Sequence, residues 1–154
     1  MLHVVLDTNV LVSAAISRGS PHEIVMRWLN MGDFEVIVSK EILAEMEAVL
    51  VERSKLRRWI SQEEAREYVE VLRTAATLRV SHEIDVPELR DLNDMHVLGL
   101  AIGNRVTIIV TGDDDLHALD VPEVTTLTPA EFEALLSRGR SAEFGDDSRQ
   151  QPTE

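Results

Sequence analysis

The chain has 154 residues, enough for one ordinary domain and too few for two comfortable ones. It has no cysteine, which excludes disulfide frameworks, zinc–thiolate sites and thiol nucleophiles, and aromatics at 4% leave little for stacked recognition platforms. Asp plus Glu number 28 against 15 Lys plus Arg, a formal net charge of -13, which on its face speaks against a nucleic-acid partner.

In chain order, Leu2 to Leu6 is a short apolar run ended by Asp7-Thr8-Asn9, the pattern of a buried strand followed by helix-capping residues. Residues 10–16 read as a helix, and Pro21 opens a second one running to about Asn30. Phe34 to Val38 is a second apolar, β-branched strand. Ser39 then caps a helix expected over 41–51. Arg53, Lys55, Arg57 and Arg58 form a local basic patch, read as a solvated helix end, with contact to phosphates or to an acidic partner as its functional alternative. Ser61 and Glu64 form a capping box for a helix to about Thr74. A short strand over 78–80 and a loop over 86–91 follow. A helix is expected over 94–103, with Gly99 inside it. Residues 106–110 are the clearest buried strand; Thr111-Gly-Asp-Asp-Asp115, one helical turn and a strand over 124–127 come next. Thr128, Pro129 and Glu131 open a last helix. From 137 to 154 the chain is polar and aperiodic, and is read as a disordered tail.

Strands alternating with helices predict an α/β domain with a mainly parallel central sheet flanked by helices. No apolar run is long enough to span a membrane, and the first residues carry no basic leader, so a soluble, cytoplasmic protein is expected.

Ligand sites of parallel α/β sheets lie beyond the carboxyl ends of the strands. Asp7 ends the first strand and Asp113 lies just past the 106–110 strand. Asp94 and Glu45 sit early in helices whose first turns face the same rim. Four acidic residues distant in sequence are thus expected to converge. Carboxylates crowded together stay ionised only with a compensating cation. Oxygen ligands without Cys or paired His suit Mg2+ or Mn2+, and metal-assisted phosphodiester hydrolysis is the natural chemistry. Read singly, each residue has a plainer role: Asp7 and Asp91 as helix caps, Asp113 to Asp115 as a solvated turn. Glu41, Glu45 and Glu52 flank the apolar face of their helix alike, and periodicity does not say which turns inward. The five histidines show no ligand spacing. His96 is read as a partly exposed helix residue rather than a substrate contact, and Trp28 and Trp59 as packing residues.

The stretches Val5-Leu-Asp-Thr-Asn-Val-Leu-Val12, Val38-Ser-Lys-Glu-Ile-Leu-Ala-Glu-Met-Glu-Ala-Val-Leu50, Arg90-Asp-Leu-Asn-Asp94, Val110-Thr-Gly-Asp-Asp-Asp-Leu116 and Thr128-Pro-Ala-Glu-Phe132, in this order and at these separations, resemble the PIN-domain family. They are similar in particular to its VapC-like toxins of toxin–antitoxin systems. The resemblance covers about residues 2–136. It implies a PIN-like three-layer nuclease domain over 1–136 and a metal-dependent endoribonuclease acting on RNA, whose products carry a 5′-phosphate and a 3′-hydroxyl. It also implies a small cognate antitoxin and a homodimer. It implies Asp7, Glu45, Asp94 and Asp113 as catalytic metal ligands, selecting Glu45 over Glu41 and Glu52, and Asp115 as a further acidic position. Asn9 and Thr111 resemble residues that orient the ligands, and Asp91 a structural one. Leu92 stands where the family often has proline. Two alternatives remain: a haloacid-dehalogenase-type phosphatase, disfavoured because Asn9 stands where its second aspartate belongs, and a non-catalytic PIN-fold binding module.

Overall fold

The computed structural model describes the backbone of residues 1–150 and the side chains of residues 1–139. Five strands form one parallel sheet: β1 (Leu2–Leu6), β2 (Phe34–Val38), β3 (Thr77–Leu78), β4 (Ile108–Val110) and β5 (Thr125–Leu127), in the order β3-β2-β1-β4-β5. The helices are α1 (Thr8–Ile16), α2 (Ser20–Met31), α3 (Lys40–Glu47), α4 (Gln62–Ala75), α5 (Leu92–Gly103), α6 (Asp114–His117) and α7 (Pro129–Gln150).

The central strands form because β1, β2 and β4 are rich in Val, Ile and Leu, buried toward their carboxyl ends, with His3 and Glu35 near the starts of β1 and β2. Val5 pairs with Ile37 on one side and with Ile109 on the other. Right-handed crossovers send α1 to α4 to one face of the sheet and α5 and α6 to the other. Tyr68 Oη on α4 donates to the Leu11 carbonyl of α1 at 2.7 Å, joining two helices of one layer. Phe34 and Phe132 meet edge to face with ring centroids 5.3 Å apart, which seats α7 on the core. The chain goes outward from β1 to β2 and β3, then returns to the other flank of β1 for β4. The strand order therefore reverses between β1 and β4, and a crevice opens beyond their carboxyl ends.

The short strands β3, β4 and β5 differ from the sequence expectation by one or two residues at a boundary. In β4 the cause is visible. Arg105 adopts a left-handed conformation (φ 56°) and Val106 N donates to the Ala101 carbonyl, so the first residues of the apolar run close the turn out of α5. The helix expected over 41–51 is different in kind. After Glu47 it widens into a π-helical turn (Ala48–Glu52), followed by a 3₁₀ turn (Ser54–Arg58). The Arg57 guanidinium donates to the carbonyls of Leu50, Arg53 and Ile60 and so braces this irregular stretch. At the other end of the chain, α7 is helical through Gln150, inside the stretch read as a disordered tail. Residues 137–150 contain no proline and no β-branched residue to stop the helix. Residues 151–154 of that tail lie outside the described residues.

Candidate metal centre at the β1/β4 crevice

Asp7 ends β1 and precedes α1, but it does not cap that helix through its side chain. Its Oδ2 instead accepts from Thr111 Oγ1 at 2.8 Å. Thr111, fully buried past the end of β4, receives the Asp113 N–H on the same hydroxyl at 3.0 Å. One threonine therefore ties the carboxylate after β1 to the loop after β4. His117 Nε2 donates to the Thr111 carbonyl at 2.7 Å and closes the loop from the far side.

Asp94 enters from the other layer. Asp91 caps α5 by accepting the Asn93 N–H at 2.8 Å, which puts Leu92 at the first helical position and Asp94 in the first turn. That first position tolerates proline well, so the leucine there departs from the family habit without disturbing the site. Gly99 and Gly103 let the segment 81–82 cross α5 closely, since a side chain on either would collide with His82. Ser81 Oγ donates to the His96 carbonyl at 2.8 Å, and His96 Nε2 lies 2.7 Å from Ser39 Oγ. Ser39 is the cap of α3 and accepts the Ile42 N–H. His96 thus joins the start of α3 to α5 and is half-buried in doing so.

On α3, Glu45 is the glutamate that turns inward, while Glu41 and Glu52 are exposed. Thr8 Oγ1 donates to Glu45 Oε2 at 3.3 Å, and Asn93 Nδ2 approaches Oε1 at 3.4 Å. Neither Thr8 nor Asn93 is singled out by the sequence reading. Each is the immediate neighbour of an expected ligand, and that adjacency was the available signal. Asn9 is exposed and, among the described residues, its side chain makes no hydrogen bond.

Carboxylate oxygens of Asp94, Asp113 and Asp115 lie within 4.8 Å of one another. Asp7 and Glu45 stand around this trio without joining it. Asp94 is 4% exposed, and its Oδ2 is buried with no hydrogen-bond partner. An acceptor left so is costly unless something electropositive meets it. Burial is the largest cause that pushes the Asp94 carboxyl up to about 7; contact with the Asp113 carboxyl and the charges of Asp113, Asp91 and Asp7 add to it. Asp7 is also raised, first by burial and then by the charges of Asp113 and Glu45, against the hydrogen bonds from Thr111 and Thr8. Asp7 and Asp94 are thus both raised within one acidic cluster, a strain that a cation would relax. The donors are oxygen only, and no histidine joins the cluster among the described residues, which fits a hard divalent ion.

Fold and site together define a parallel α/β domain with a cluster of acidic side chains at its topological switch point. The family model described as "PIN domain" matches residues 3–115, and the chain belongs to that family. Among solved structures the chain is similar to the crystal structure of VapBC2 from Rickettsia felis bound to a DNA fragment from their promoter. The TM-score is 0.57 at 14% identity, covering 82% of this chain and 98% of that one, a likeness of fold. No curated protein sequence matches the chain. Among the described residues, no helix is long and apolar enough to cross a membrane.

Proposed function

We propose that the protein is a Mg2+- or Mn2+-dependent endoribonuclease and the toxin of a toxin–antitoxin pair. The observation that carries the reading is the buried, partnerless Oδ2 of Asp94 beside Asp113 and Asp115. Asp94, Asp113 and Asp115 would hold the ion, with Asp7 and Glu45 as the remaining ligands. A divalent ion bound there supplies an activated water and offsets charge developing on the phosphoryl group.

The chain's own residues prepare that chemistry. Thr111 holds Asp7 in one orientation, and Thr8 and Asn93 hold Glu45. Asp113, itself fixed by the N–H of Asp115, presents its second oxygen to the cluster. No histidine or lysine is needed as general base, and the products carry a 5′-phosphate and a 3′-hydroxyl. Membership in the PIN domain family supports nuclease activity, and likeness to a VapBC2 structure supports a small antitoxin as partner. A homodimer in the cytoplasm completes the proposal.

The test is cleavage of RNA in Mg2+ or Mn2+ by the wild-type protein and by Asp7→Asn. Cleavage by the first and its loss in the second supports the reading; equal activity refutes the site.

A further inference from the structure

An acidic rim gives a polyanion little to hold. The densest positive charge in the sequence lies elsewhere: between Glu52 and Glu63 the chain carries Arg53, Lys55, Arg57 and Arg58 and no acid. The structure divides these four. Arg57 is engaged internally, donating to the carbonyls of Leu50, Arg53 and Ile60. Arg53, Lys55 and Arg58 are exposed and, among the described residues, form no salt bridge.

Beside them stands Trp59, expected as a packing residue and 54% exposed. The Arg58 guanidinium carbon lies 4.9 Å from the indole centroid and covers one face. More than half of the Trp59 surface is exposed. A low aromatic content excludes an extended stacking platform, but an exposed indole flanked by exposed cations has both features of sequence-tolerant single-strand binding: an accessible aromatic surface and a cationic track for the backbone. The platform is also held in shape. Arg57 pins both ends of the segment, and Trp59 N donates to the Leu56 carbonyl at 2.9 Å. Arg53 follows the inward Glu45 by eight residues, through the end of α3 and the π-helical turn.

We infer that Arg53, Lys55, Arg58 and Trp59 hold single-stranded RNA, with a base against the indole and phosphates on the three cations. That the strand is RNA rests on the ribonuclease reading; the platform does not require an active acidic site. An acidic protein segment would satisfy the cations and leave the indole without a partner, so nucleic acid is the better fit.

Trp28 is buried and Trp59 is the chain's other tryptophan, so a change in intrinsic fluorescence on titration reports Trp59. The probe is an oligouridylate of about 12 nucleotides, added to the Asp7→Asn protein in Mg2+. Saturable quenching is expected. Trp59→Leu should abolish it and weaken binding of an end-labelled strand at least about fivefold. Replacing Arg53, Lys55 and Arg58 together by serine should lower the salt dependence of log Kd by about 2. Neither change should alter the melting temperature, because all four side chains are exposed. Wild-type affinity and salt dependence in both variants would overturn the inference. So would no binding at all, or quenching by polyglutamate in place of oligouridylate. Failure of the acidic-site reading shows separately, as absent cleavage by the unmutated protein, and leaves the binding result readable.

Discussion

Asp94→Asn removes a charge that the metal-free protein is better without. In the folded chain this carboxyl titrates at about 7 rather than 3.8, and the gap corresponds to a ceiling of about 4 kcal/mol against its ionised form. Water at the open rim screens part of this, leaving about 2 kcal/mol as a working figure. At pH 8 without metal, Asp94→Asn should therefore melt about 4–8 °C above wild type. The sign with pH is fixed as well. A carboxyl raised by folding favours the folded state when protonated, so metal-free wild type should gain stability as pH falls from 8 through 7 toward 4, and the asparagine variant should lose that part of the slope. Metal reverses the order. Mn2+ at a hundredfold excess over Kd should stabilise wild type by about 2.7 kcal/mol and Asp94→Asn far less. Thermal unfolding with and without Mn2+ at pH 6 and pH 8 reads all of this. A variant less stable than wild type in EDTA at pH 8 would refute the reasoning, because the carboxylate would then be stabilising the fold rather than straining it.

Thr111→Val keeps the shape of the side chain and removes the hydroxyl that joins Asp7 to the Asp113 N–H; Mn2+ affinity by calorimetry should fall about 10–100-fold. Glu45→Gln should abolish cleavage of RNA while Glu41→Gln and Glu52→Gln remain near wild type, a comparison that isolates the inward glutamate. Gly99→Ala forces a Cβ into the His82 backbone and should destabilise the fold by about 1–3 kcal/mol in urea unfolding.

Much of this architecture is written locally. The segments at β1, β2 and β4 are short and rich in apolar and β-branched residues, which suits buried strands, and the switch point at their ends follows from chain order. Asp7 and Asp113 were therefore placed by their position after strands. Glu45 was not, because the helical wheel treats it as equivalent to Glu41 and Glu52. What turns it inward is Thr8 and Asn93, residues on other elements. The π-helical turn was invisible for a similar reason: it is accompanied by the Arg57 side chain reaching back to the Leu50 carbonyl. Trp28 packs in the core as expected of a packing residue, whereas Trp59 is exposed beside Arg58, because hydrophobicity alone does not say which indole is covered. Asn9, expected to orient a ligand, is exposed, while the hydroxyl of Thr8 beside it donates to Glu45. The net charge of -13 at first spoke against nucleic acid. The fold gathers part of it into one acidic cluster and, among the described residues, leaves Arg53, Lys55 and Arg58 exposed and without salt bridges on a separate segment.

The most direct test is to soak or grow crystals with Mn2+ and locate the ion by anomalous scattering. The account predicts a peak among the carboxylates of Asp94, Asp113 and Asp115, with Asp7 and Glu45 around it and Asp94 Oδ2 in contact. A structure at saturating Mn2+ with no ion there, or with the ion bound at another acidic surface, would contradict it.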